Sequence, residues 1–89
     1  MSADTVERLR EHLAALQPQS LAIRDDSHRH AGHAGARNGG GHYHVDIVAE
    51  AFTGQNTLAR HRLVMAAAGE LMQGAIHALS ISARAPGEV

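Results

Sequence analysis

Histidine is the residue type out of line in this chain. It makes up eight of 89 residues, and five of them (His28, His30, His33, His42 and His44) fall within seventeen positions. Neutral imidazole is a ligand for zinc, copper, nickel and iron. His28 and His30 lie two apart, which puts both side chains on one side of an extended segment, whereas His30 and His33 suit a turn. His42 and His44 share one face of a period-two segment. His77 opens Ile76-His77-Ala78-Leu79-Ser80-Ile81 and has the parity of Leu79 and Ile81, so it reads as a half-buried ring with a satisfied hydrogen bond. At a strand's start, however, a ring nitrogen can also reach outward over the rim of a sheet. Taken singly, each of these histidines also has an ordinary reading as a solvated polar residue, because loose histidine spacings are unspecific.

The chain has no cysteine. Disulfides, an all-thiolate zinc site and a cysteine nucleophile are therefore excluded, and iron–sulfur or other soft-metal chemistry would need sulfur from another molecule. No G-x-S-x-G, P-loop, G-x-G-x-x-G or H-E-x-x-H motif occurs. Asp26-Ser27-His28 is contiguous, which says nothing about a triad, since a triad is set by three-dimensional geometry. The chain reads as non-enzymatic. Arg60-His61-Arg62 forms a small basic cluster at a helix start. Cations there oppose the helix dipole, so the cluster needs a reason, such as phosphate or an acidic partner. The formal net charge of −1 argues against strong nonspecific attraction to nucleic acid.

The elements that must position these groups follow from periodicity. Asp4 and Glu7 have capping-box spacing, and Val6, Leu9, Leu13 and Leu16 recur at three- and four-residue steps, which predicts a helix over 4–17 ended by Pro18. Leu21 and Ile23 alternate with Ala22 and Arg24 in a strand over 20–25, closed by Asp25-Asp26-Ser27. Residues 28–41 hold five of the nine glycines and no apolar residue larger than Ala, the composition of a long flexible loop. In a second strand, 42–48, Tyr43, Val45 and Ile47 face one way and His42, His44 and Asp46 the other. Phe52-Thr53-Gly54 reads as a turn. Thr57 is a plausible N-cap for a helix over 58–73, whose buried stripe is Leu63, Val64, Ala67, Ala68, Leu71 and Met72, and Gly74 ends it. A third strand runs from Ile76 to Ala83, and a frayed tail begins at Pro86. The order helix, strand, strand, helix, strand is that of a single α+β domain over 1–89, one small sheet covered on one face by helices. With 44% hydrophobic residues the chain can fold around a modest, mostly aliphatic core. No apolar run is long enough for a membrane span, and the N-terminus has Asp4 and Glu7 where a signal peptide would be basic, so the expected compartment is the cytosol.

Several of these pieces together resemble one family. Asp25-Asp26-Ser27-His28-Arg29-His30, a Gly-rich loop and then His42-Tyr43-His44-Val45 resemble the D-[DE]-S-x-x-H … H-[FY]-x-V stretch of BolA proteins. Phe52-Thr53-Gly54 followed by Arg60-His61-Arg62-Leu63-Val64 is similar to the family's F-x-G … R-H-R-x-[IV] signature, and Ile76-His77-Ala78-Leu79 to its last strand. The similarity runs from about Val6 to Ala85. The chain departs from the pattern at His44, at Met65 and in the three consecutive glycines before His42.

The resemblance implies a class II KH-like fold with a three-stranded mixed sheet. It also implies a cytosolic protein, monomeric alone, that forms a heterodimer with a monothiol glutaredoxin. The shared [2Fe–2S] cluster would take a glutaredoxin cysteine, a glutathione thiolate and two ligands from this chain. Carried over by position, those ligands are His77 and one loop histidine: His30 matches best and His42 is the alternative. Such a cluster has four terminal ligand positions, and histidine can replace cysteine at two of them. If two side chains converge on one iron, His30 or His42 should approach His77 within roughly 6–8 Å. Two other functions stay open. One is a DNA-binding regulator with Arg60, Arg62, Arg29 and Arg37 on phosphate, against which stand the net charge and the lack of a GXXG loop. The other is a divalent-metal buffer using His28, His30 and His33.

Overall fold

The structure, a computed structural model, describes residues 2–27 and 41–88. Strand β2, Gly41–Val48, lies at the centre of a three-stranded sheet. It pairs antiparallel with β1, Ser20–Asp25, and parallel with β3, Ile76–Arg84, so the sheet is mixed. The alternation read from the sequence is realised. Tyr43, Val45 and Ile47 are buried, while His42, His44 and Asp46 lie on the opposite, open face with Arg24, Ser80 and Ser82 beside them in register.

Helix α1, Ser2–Leu13, and helix α2, Thr57–Ala68, cover the buried face. Leu9 and Leu13 from α1 and Val64 and Ala68 from α2 close over Val45, Ile47, Phe52 and Ile76 in one core. Burying a side chain of this size is worth about 1.5–3 kcal/mol. His12 reaches across the two helices, its Nδ1 lying 3.2 Å from the Ala67 carbonyl oxygen.

Both helices are shorter than the sequence predicts, for backbone reasons. After Leu13 the chain tightens to a 3-10 turn, Ala14–Leu16, and Gln17 takes a left-handed conformation (φ 52°) ahead of Pro18. After Ala68, Gly69 at φ +58° breaks the α-helix, and 69–73 continue as a 3-10 turn. The N-cap of α2 is Asn56 and not Thr57: its side-chain oxygen accepts the Ala59 N–H at 2.8 Å. The tail also differs from expectation, since Glu88 is held by Arg60 and by the Ala85 N–H. The expected flexible loop, apart from Gly41, lies outside the described residues.

Candidate metal site at the end of the sheet

Two of the expected ligand histidines meet where β2 and β3 begin. The ring centroids of His42 and His77 are 5.2 Å apart, with the planes tilted by 32°. The sheet register explains how His77 arrives there. Gly41 stands opposite Ile76, but His42 stands opposite Ala78, so His77 is an additional residue in a bulge. Without the bulge, the parity shared with Leu79 and Ile81 would turn its ring toward the core. Instead Ile76 fills the core place, only 2% exposed, and His77 is exposed. The half-buried reading of His77 is thereby corrected in favour of the outward-reaching one.

His42 is half-buried, and its backbone is gripped from the end of β1. The Asp26 N–H donates to the His42 carbonyl at 2.8 Å. The His42 N–H donates to Ser27 Oγ at 3.0 Å, and the Ser27 hydroxyl lies 3.5 Å from the His42 carbonyl oxygen. Ser27 is itself fixed by its N–H donating to Asp25 Oδ1 at 2.8 Å. Gly41 makes room for this grip. A Cβ at that position would lie 2.7 Å from Ser27 Oγ and 2.6 Å from Tyr43 Cε2. Sequence reading took Asp25-Asp26-Ser27 as the end of a strand and as part of the family motif, without a task at His42. The habit of Asp and Ser side chains of bonding nearby backbone in turns was the available signal.

Two imidazoles offer nitrogen donors of the type that bind zinc, copper, nickel or iron. Among the described residues no three His, Cys, Asp or Glu side chains gather as a metal-holding group, so His42 and His77 stand as a pair. His30, together with His28 and His33, lies outside the described residues. His44 is on the open face two residues along β2, opposite Arg24 and Ser80.

The basic cluster divides into two kinds of residue. The guanidinium of Arg60 is occupied within the domain. Its Nε donates to the Gln55 carbonyl at 2.8 Å and its Nη1 to the Ala83 carbonyl at 3.1 Å, while Nη1 and Nη2 grip the two carboxylate oxygens of Glu88 at 2.6 and 2.8 Å. The Arg60 guanidinium and the Ala85 N–H hold the Glu88 carboxyl down at about 2, and that carboxylate raises the pKa of Arg60 in turn. The cation at the helix start thus has an intramolecular partner in Glu88. His61 is half-buried, and Arg62 is exposed. Arg62 lines a surface cavity of about 370 Å³ with Gln55, Asn56, Leu58, Ala59 and Leu63.

Comparison with known proteins shows the family. The family model described as "BolA-like protein" matches residues 13–88. The chain is 40% identical over 88 residues to SufE-like protein 1, chloroplastic/mitochondrial, of Arabidopsis thaliana, covering 92% of this chain and 24% of that protein. It is 38% identical over 76 residues to the DNA-binding transcriptional regulator BolA of Escherichia coli, covering 84% of this chain and 70% of that one. The fold is similar to the solved structure of BolA1 from Arabidopsis thaliana, with a TM-score of 0.80 at 37% identity over 96% of this chain and 95% of that one. Several of the curated relatives are longer, and the chain spans from a quarter to about half of their length. No helix among the described residues is long and apolar enough to cross a membrane. On the match of 13–88 and these identities, the chain belongs to the BolA-like protein family.

Proposed function

We propose that this chain is a non-enzymatic adaptor that docks with a monothiol glutaredoxin and shares with it a glutathione-ligated [2Fe–2S] cluster, in iron–sulfur trafficking or iron homeostasis. The observation that carries the proposal is the His42–His77 pair, two imidazoles with centroids 5.2 Å apart. One of them, His77, is exposed at the end of the sheet. Metal–nitrogen bonds near 2 Å allow two rings at that separation to serve one metal centre. A thiol-free chain can supply nitrogen ligands and leaves the sulfur ligands to its partner and glutathione. When bound, the cluster supplies a redox-active iron centre whose potential rises when imidazole replaces thiolate. Of the two loop candidates, His42 is the one the described residues bring to His77, and His30 is the alternative. A BolA-like stretch within a SufE-like relative accords with an iron–sulfur setting. A cytosolic location belongs to the same proposal and rests on the acidic residues Asp4 and Glu7 near the N-terminus, whereas the relatives' names span plastid, mitochondrion and bacterium.

The test is anaerobic co-purification with a monothiol glutaredoxin and glutathione, using wild type and His77→Ala. The proposal expects a coloured heterodimer for wild type. For the variant it expects changed visible absorption and faster loss of colour. Identical spectra and lifetimes would contradict the ligand assignment.

A second reading, a DNA-binding regulator, is favoured by the E. coli relative's name and by the exposed Arg62 near the start of α2. On that reading Arg62 and not Arg60 makes the phosphate contact at the helix start.

A further inference from the structure

We infer that Ser27 is a positioning residue for His42: its hydroxyl fixes the end of β2 so that the His42 ring faces His77. The inference rests on the reading of His42 and His77 as a ligand pair and assigns the residue that holds that pair together. The β1–β2 ladder has its last paired residues at Asp25 and Tyr43. His42 lies one residue beyond, where a strand end would fray. Asp26 carries the ladder one bond further, its N–H meeting the His42 carbonyl at 2.8 Å. The His42 N–H, the other polar group of this residue's main chain, donates to Ser27 Oγ at 3.0 Å. A side-chain oxygen thus grips the strand at the residue whose ring must be held.

Two further observations support the assignment. Ser27 does not swing freely, because its own N–H is tied to Asp25 Oδ1 at 2.8 Å. The space its hydroxyl occupies exists only because residue 41 is glycine, since a Cβ there would come within 2.7 Å of Ser27 Oγ. On the other side, Gly41 is anchored to β3 by its N–H on the Ala75 carbonyl at 3.1 Å. The bulge sets His77 from β3 while Ser27 sets His42 from β1, so the two rings are aimed independently. Ser27 acts on the main chain of His42 and not on its ring; outer-shell groups that orient a metal ligand directly are worth about 10–100-fold in metal affinity or activity when removed.

The experiment uses the full chain with Ser27→Ala, Ser27→Val and Ser27→Thr, and with His42→Ala and His77→Ala as references. In the metal-free chain, NMR reads the ring–ring contact between His42 and His77. In the heterodimer with a monothiol glutaredoxin and glutathione, the rate of cluster release to a chelator is read. Ser27→Ala and Ser27→Val are expected to weaken the ring contact and speed release about 10–100-fold. Ser27→Thr, which keeps the oxygen and has nearly the shape of valine, is expected to restore both. A wild-type ring contact and release rate in Ser27→Val would overturn the inference, as would a Ser27→Thr chain that behaves like Ser27→Val. If His77→Ala is fast while Ser27→Val is not, the assignment of Ser27 fails and the cluster reading stands. If His77→Ala also releases at the wild-type rate, the cluster reading itself fails.

Discussion

Arg60 and Glu88, 28 positions apart in the chain, close a two-pronged ion pair that ties the end of the chain to the first turns of α2. The same guanidinium also donates to the Ala83 carbonyl of β3, so one side chain joins helix, strand and tail. Its depth is unusual for an arginine, with 14% of the side chain exposed.

The pair makes stability depend on acid. The folded Glu88 carboxyl titrates at about 2 against an ordinary 4.5, because Arg60 and the Ala85 N–H favour its charged form. Its contribution is complete above pH 4.5 and is lost as pH falls from there toward 2. Thermal unfolding of wild type and Glu88→Gln should therefore differ at neutral pH, with wild type the more stable. The difference should shrink through that window and vanish near pH 2. A difference that is constant with pH would contradict the account.

Gly41 should not tolerate a side chain. A Cβ would lie 2.6 Å from Tyr43 Cε2 and 2.7 Å from both the Tyr43 hydroxyl and Ser27 Oγ, in a buried place. Gly41→Ala is expected to cost about 1–3 kcal/mol in urea unfolding, the usual range for overpacking. A variant as stable as wild type would show that this end of the sheet is loosely packed.

The cap of α2 separates two neighbours. Asn56→Ala removes the acceptor of the Ala59 N–H and should cost about 0.5–2 kcal/mol. Thr57→Ala should stay within about 0.5 kcal/mol, as an exposed substitution away from the cap. Equal losses in denaturant unfolding would mean that Thr57 shares the capping role.

How far these features were legible in the sequence depended on whether their cause was local. Tyr43, Val45 and Ile47 were readable as core, and His42, His44 and Asp46 as the open face, because strand alternation is local. The ends of the helices were not. The left-handed Gln17 and the positive φ of Gly69 arise where the chain must turn onto the sheet. Thr57 and Asn56 are both good capping types, and only geometry chooses between them. His77 stood between a half-buried and an outward-reaching reading because strand parity breaks at a bulge, and nothing in Ile76-His77-Ala78 announces one. The acidic partner of Arg60 was not legible because Glu88 is remote in sequence. The family resemblance paired His77 with a loop histidine, His30 by preference and His42 as the alternative, and what the residues alone supplied was the count of histidines and the lack of a thiol.

If the DNA reading holds, Arg62 is where it should register. A phosphate contact by Arg62 predicts that Arg62→Ala lowers the slope of log affinity against log salt by about 0.9. Arg60→Ala should mainly destabilise the fold, because it abandons three carbonyl or carboxylate partners. An unchanged slope in Arg62→Ala would remove this residue from any nucleic-acid interface.

The most direct test is pulsed electron paramagnetic resonance of the reduced cluster, assembled from a monothiol glutaredoxin, glutathione and this chain labelled with nitrogen-15 in histidine only. Two imidazole nitrogens coupled to the cluster are predicted for wild type, one for His77→Ala and one for His42→Ala. Spectra without any coupling to labelled nitrogen would contradict the account.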